Sequence, residues 1–369
     1  MGLTALEERG TELGAAASGD YRGATTAARF TDPQAEFAAL RGGCGVYDLG
    51  FRARISLTGS DRVRWLNGMV TNNIRDLATG NGVYAFLLNP QGHILADLYA
   101  YNGGESIVVD TDRSQLEKVL ATFDHYIIMD DVSVTDLSDQ LTALGIGGPK
   151  SREVLAACGI QISDMRALHI LEAKSAGGTA CSVVRTDDPA IESYELWLEI
   201  AEVRKTWDAL KAQGATPVGS EALELHRIVS GIPLYGVDIR ERDLPQETEQ
   251  ARALNFNKGC YIGQEIVERI RSRGAVHRKF SGFTMAGNLT IAPGTKILAG
   301  EKEIGEVTSV ATLRSSESAK NVALGYIRRE AGTPGRAVTI GSIPAAVVAV
   351  PIGDSALSPE ERGYEERPA

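Results

Sequence analysis

The run Asn255-Phe256-Asn257-Lys258-Gly259-Cys260-Tyr261-Ile262-Gly263-Gln264-Glu265-Ile266-Val267-Glu268-Arg269 is the most unusual stretch of the chain, crowding polar residues and glycines around a single cysteine. A cysteine reacts as its thiolate, which a nearby cation or the positive end of a helix dipole favours. Lys258 stands close before Cys260, and the apolar residues Ile266, Val267 and Ile270 predict a helix starting near Gly263. Gly259 and Gly263 permit close backbone approach or a positive φ on either side of the thiol. The plain alternative is a small buried hydrophobe, which is what most single cysteines are. Cys44, Cys158 and Cys181, in apolar or glycine-rich surroundings, are read that way. The histidines at 93, 125, 169, 226 and 277 show no HxH or HExxH spacing, and no CxxC pair occurs, so no metal site is expected. The absence of GxSxG, P-loop and GxGxxG patterns argues against serine hydrolases, P-loop NTPases and standard dinucleotide folds.

Elements able to position these residues follow from periodicity. Ala53 to Leu57 alternates as a strand, and Ser60 is the expected N-cap of a helix carrying Val63, Leu66 and Met69. Val83 to Leu88 and Ile94 to Ala100 flank the turn Asn89-Pro90-Gln91-Gly92, a hairpin signature. Strands are expected at 106–110, 141–146, 180–186 and 194–200, with helices at 114–123, 151–157 and 203–213. Residues 1 to about 30 read as a weak helix plus linker. From Phe280 onward, short β-rich runs at 279–284, 296–299, 304–311, 322–328 and 336–340 are punctuated by glycine and predict a small barrel or sandwich. Tight hairpins and irregularly spaced helices favour mainly antiparallel sheets over a doubly wound parallel one.

The chain has 369 residues, 43% hydrophobic and 23% charged, with a net charge of −10. The acidic balance argues against a dedicated nucleic-acid binder. The N-terminus lacks the basic and apolar regions of a secretory signal, and the apolar stretch 342–352 is too short to span a bilayer. A cytoplasmic protein with no membrane partner is expected, with scattered cysteines in a reducing compartment. The acidic, proline-containing tail 354–369 reads as disordered.

The octapeptide Lys258-Gly259-Cys260-Tyr261-Ile262-Gly263-Gln264-Glu265 resembles the K-G-C-Y-x-G-Q-E signature of YgfZ-type folate-binding proteins, relatives of the glycine-cleavage T protein (aminomethyltransferase). The resemblance extends over roughly 45–350. Tyr84 to Leu98 is similar to a T-protein hairpin with an acidic pair, Gly147-Gly148-Pro149-Lys150 to a G-P-x-A region, and His226 to Gly236 to an R-x-E-A-G-x-P-x-x-G stretch. It implies an α+β fold: a multi-domain ring of mixed, mainly antiparallel sheets with helices, closed by a small C-terminal β-barrel. The corresponding division is an N-terminal extension 1–44, a folate-binding region 45–275 of two subdomains, a barrel 276–353 and the tail.

The same resemblance implies tetrahydrofolate as cofactor and a set of site residues. Glu195 matches the glutamate that reads the pterin, and a carboxylate suits the donor edge of an aminopyrimidine. Asp97 matches the second of the hairpin acids, with Ala96 replacing the first. Arg227 matches the arginine that holds a carboxylate or the pterin, although Val229 replaces the usual glutamate nearby. Tyr84 would line the pocket by stacking. The leading expectation is a folate-binding protein that supports iron–sulfur cluster assembly or repair through Cys260, with iron–sulfur client or assembly proteins as partners. The alternatives are a folate-dependent aminomethyltransferase or other one-carbon transferase, and a scaffold that kept the fold without the ligand.

Overall fold

The computed structural model describes residues 2–8, 13–162, 164–274, 276–286, 290–314 and 319–353; the tail expected to be disordered lies outside the described residues. The chain divides into two compact units, Met1–His226 with Leu234–Val276, and Arg227–Pro233 with His277–Ala369.

Two antiparallel sheets dominate the first unit. One orders its strands Gly82–Leu88, Ile94–Asn102, Ile107–Asp112, Arg52–Thr58 and Ser133–Asp136. The other runs Ile170–Lys174, Ala180–Arg185, Ser193–Glu199, Leu141–Gly147 and Gly45–Asp48, and ends on the short parallel strand Thr216–Pro217.

Side chains alternate across a strand, so every second residue reaches the same face. In the five-stranded sheet, Ile55, Leu57, Ala85, Leu87, Leu98 and Val109 face one way. They pack with Trp65, Leu66 and Met69 of the helix Arg62–Met69 and with Val119 and Phe123 of the helix Arg113–Tyr126. Trp65 and Phe123 meet edge-to-face at 5.1 Å. In the six-stranded sheet, Leu144, Ile146, Val183, Tyr194, Leu196 and Leu198 pack with Leu155 and with Trp207 and Leu210 of the helix Val203–Ala212. The opposite faces of the two sheets share a third cluster, in which Tyr101, Ala143, Val184 and Trp197 come together with Leu49 and Phe51. This shared face carries the charged and aromatic residues described below.

Among the described residues of the first thirty, strands stand where a helix was expected. Ala17–Tyr21 and Ala24–Arg29 form an antiparallel hairpin, with Gly2–Leu3 alongside in parallel. Its turn residues Arg22 and Gly23 have φ of 49° and 95°, the left-handed pair that tight hairpins favour. A β-carbon on Gly23 would fall 2.4 Å from the Ser114 nitrogen, so only glycine lets the turn close against the start of the Arg113–Tyr126 helix. Ser60 does not cap its helix: both its hydroxyl and its amide bond the Asp131 carboxylate, and Asp61 precedes the first helical residue.

The second unit contains a closed barrel of six strands, Arg278–Ala286, Ala319–Arg328, Lys302–Arg314, Lys296–Ala299, Ala337–Ile340 and Ile343–Val348, filled by Phe283, Ile297, Val307, Ile327, Ile340 and Val347. The sixth strand comes from the apolar stretch 342–352, for which no strand was expected; Pro344 pairs with Thr339 within it. Among the described residues no helix is long and apolar enough to cross a membrane.

Candidate functional site

Alternation gathers a polar site on the shared face. Asp97, Tyr99 and Tyr101 follow each other at every second position of one strand, Arg52 and Arg54 do so on another, and Glu195 and Trp197 on a strand of the facing sheet. Tyr99 and Tyr101 lie nearly parallel at 6.3 Å, Tyr84 is 5.0 Å from Tyr99, and Trp197 meets Tyr101 edge-on at 5.1 Å. The rings make a continuous aromatic surface bordered by two carboxyl groups.

Asp97 lies at one end. It accepts hydrogen bonds from the Tyr84 hydroxyl and from Gln115 Nε2, both at 2.8 Å, while its own amide donates to Gln115 Oε1 at 3.0 Å. Burial pushes the Asp97 carboxyl above the ordinary aspartate value and the Asp112 charge adds to this; the Gln115 and Tyr84 bonds oppose it. The result is a carboxyl group that takes up a proton more readily than an exposed aspartate.

Glu195 lies at the other end. Trp197 Nε1 donates to its Oε2 at 2.7 Å, and Arg54 Nη2 approaches at 3.7 Å. Burial raises the Glu195 carboxyl, as does Asp110, whereas Arg54, Arg52 and the indole bond lower it. Arg54 is fully buried, 3.4 Å from Asp110 and 4.8 Å from the Trp197 ring. None of its guanidinium nitrogens, nor Asp110 Oδ1, completes a hydrogen bond with a described residue. Arg52 grips Asp110 and also bonds Asp112 at 2.5 Å, so buried charges of alternating sign run across the face.

The octapeptide is a structural clip around one exposed thiol. Lys258 Nζ donates to the carbonyl oxygens of Asn67, Val70 and Asn72, each at 2.6 Å, at the C-terminal end of the Arg62–Met69 helix, where a cation suits the dipole. Burial, with the Arg75 charge beside it, lowers its pKa to about 7; three carbonyl acceptors favour the charged amine, which alone has three protons to give. Its protons are thus committed to the helix end, where the spacing to Cys260 had suggested support for a thiolate. Tyr261 is buried against Tyr84, Phe86 and Leu88. Gly263 has φ of 80°, and a β-carbon there would meet Asn89 O at 2.6 Å, so the glycine seats the clip on the Asn89–Gly92 turn. Gln264 accepts from the Tyr261 amide at 3.3 Å and opens the helix Gln264–Arg273. Gly259, Cys260 and Glu265 are exposed; Cys44, Cys158 and Cys181 are buried, as their surroundings in the sequence suggested.

Residues 7–258 match the model of the GCVT N-terminal domain, and residues 278–354 match that of the glycine cleavage T-protein C-terminal barrel domain. The chain belongs to the glycine cleavage T-protein family. It is 30% identical to an aminomethyltransferase of Herpetosiphon aurantiacus over 89% of this chain and 90% of that protein. It is 26% identical to a putative chloroplastic transferase of Arabidopsis thaliana over 84% of this chain and 71% of that one. The crystal structure of the glycine cleavage system aminomethyltransferase T of Bartonella henselae superposes with a TM-score of 0.86 at 22% identity, covering 96% of this chain and 98% of that one. The fold of this T-protein family member is therefore the expected α+β arrangement with a terminal barrel.

Tyr84, Asp97 and Glu195 belong to the first unit and are joined through the aromatic surface. Arg227 belongs to the second, where its Nη1 donates to Ile232 O and its Nη2 to Ser309 Oγ, both at 2.8 Å. Sequence reasoning missed Gln115, Tyr99, Tyr101, Trp197, Arg52, Arg54 and Arg252. The signal for five of them was an i, i+2 recurrence of aromatic or charged residues in strands whose intervening residues are apolar.

Proposed function

We propose that this protein binds tetrahydrofolate on the shared face and uses it in one-carbon transfer of the aminomethyl type. The observation that carries the reading is the partly buried Asp97 carboxyl, held by Tyr84 and Gln115, across a cluster of tyrosines from the partly buried Glu195. Curated relatives described as aminomethyltransferases, one of them 30% identical over nearly the whole chain, support it. The residues fit the cofactor: Glu195 has an acceptor for the donor edge of an aminopyrimidine, Arg54 has unused N–H groups beside it, and the partly exposed Tyr99, backed by the buried Tyr101, offers flat apolar surface. When bound, tetrahydrofolate supplies the amine nitrogen that accepts a one-carbon unit. Glu195 orients the ring, the aromatic surface excludes water, and Asp97 holds or releases a proton at its carboxyl. Asp97 is the one acid of its strand, so Ala96 leaves that proton traffic to it. Incubation with an aminomethylated lipoyl carrier protein and tetrahydrofolate tests the reading: methylene-tetrahydrofolate should form with the wild-type protein and fall to the blank with Asp97→Asn. No product from the folded wild-type protein overturns transfer.

A second reading rests on the clip. Cys260 is an exposed thiol on a loop tied to the Arg62–Met69 helix, and its octapeptide resembles that of folate-binding proteins of iron–sulfur assembly or repair. In this reading the thiol handles iron or sulfur transiently for a client protein. Complementation with Cys260→Ala separates the two, since unimpaired iron–sulfur enzyme activity removes this role and leaves transfer untouched.

A further inference from the structure

Arg252 stands at the edge of the aromatic surface in an arrangement that the roles assigned so far do not use. Its backbone is pinned: Asn72 Nδ2 donates at 2.8 Å to both the Arg252 and Tyr84 carbonyls, and the Thr71 hydroxyl holds the Ala253 carbonyl at 2.6 Å. Its guanidinium lies 4.2 Å over the Tyr84 ring and pairs with Asp187, and its side chain keeps 35% of its surface exposed. Asp187 has a second partner, the Tyr99 hydroxyl at 3.2 Å. Tyr84 and Trp197 deeper in the face are each 4% exposed, so Arg252 marks the outer end of the site.

We propose that Arg252 is the anion-recognising residue of this site, and that Asp187 is the internal carboxylate it releases when a ligand carboxylate arrives. This rests on the folate reading above. A folate is donor-rich at its ring and carboxylated at its tail; a ring held between Asp97 and Glu195 sends the tail outward past Arg252. The planar guanidinium fork matches a carboxylate in two parallel hydrogen bonds, and on Tyr84 it is already oriented by cation–π attraction. The exchange strands no charge. Arg252 trades one carboxylate for another, and Asp187, 17% exposed, retains the Tyr99 hydroxyl and gains water.

The test titrates the full-length wild-type protein, Arg252→Met, Arg252→Lys and Asp187→Asn with tetrahydrofolate and with 6-methyltetrahydropterin, which has the ring without the tail. Arg252→Met should weaken tetrahydrofolate by at least about tenfold and the pterin by less than about twofold, the tenfold being a lost charge-assisted pair. Arg252→Lys should fall between, because it keeps the charge without the fork. Asp187→Asn should tighten tetrahydrofolate and leave the pterin unchanged. Equal losses for both ligands in Arg252→Met, no loss for either, or weaker tetrahydrofolate binding in Asp187→Asn would each overturn the proposal. A folded wild-type protein that binds neither ligand overturns the folate reading instead, which keeps the two failures distinct.

Discussion

Replacing Lys258 by methionine keeps the length of its stem and removes the ammonium, leaving the Asn67, Val70 and Asn72 carbonyls without the donor that each now meets at 2.6 Å. A half-buried carbonyl deprived of a charged donor costs about 1–1.5 kcal/mol, and the three together about 3–5 kcal/mol. At roughly 2 °C per kcal/mol for a unit of this size, the melting temperature should fall by about 6–10 °C. Lys258→Arg should recover less than half of that, because a planar fork cannot address three carbonyls from one nitrogen. Differential scanning calorimetry reads the stability, and the alkylation rate of Cys260 in the folded protein reads the competing idea that Lys258 serves the thiol. A melting temperature within about 2 °C of wild type, together with slowed alkylation, would refute the assignment of Lys258 as a helix-end clip.

Other perturbations bear on the site itself. The folded chain holds a proton on Asp97 at pH values where the unfolded chain, titrating near 3.8, has lost it, so this group's contribution to stability declines as pH rises through that window. Asp97→Asn should therefore raise the urea midpoint at pH 7, with little change at pH 3, while abolishing the proposed transfer; an unchanged midpoint at pH 7 counts against the raised carboxyl. Gly263→Ala combines a left-handed φ of 80° with a β-carbon 2.6 Å from Asn89 O, and should cost about 2–4 kcal/mol in a urea melt, against under 0.5 kcal/mol if the turn can shift. Arg54→Met should destabilise by about 3–5 kcal/mol by leaving Asp110 and Glu195 less compensated. A cycle with Glu195→Gln should show coupling above about 1 kcal/mol, and additivity would mean that Arg54 and Glu195 do not interact.

Much of the architecture was legible because strand and turn chemistry are local. The Asn89-Pro90-Gln91-Gly92 turn named its hairpin, and the glycine-punctuated runs after Phe280 pointed to a small barrel or sandwich. The N-terminal hairpin was not legible: its short polar and alanine- or threonine-rich strands show weak alternation, and its turn is held by the Ser114 amide donating to the Arg22 carbonyl at 3.0 Å, far along the chain. Asp97 and Glu195 emerged through a resemblance, whereas the neighbours that tune them lie on strands distant in sequence. The octapeptide was conspicuous, but spacing alone suggested that Lys258 supports the thiol, because proximity in sequence does not tell where a long flexible side chain points.

The sequence by itself determined which residues share a strand face, since alternation is a property of the local backbone: Asp97 with Tyr99 and Tyr101, Arg52 with Arg54, Glu195 with Trp197. It also determined that a helix follows Gly263 and that three of the four cysteines are packing residues. Tertiary structure decided which faces meet and what each charge there touches. Only the pairing of two sheets places Arg54 between Asp110 and Glu195; packing of Tyr84 and Gln115 encloses Asp97, and the seating of the octapeptide loop brings the Lys258 ammonium to a helix end some 190 residues earlier. Burial and charge pairing depend on groups far apart in the chain, and they set the chemistry of this site.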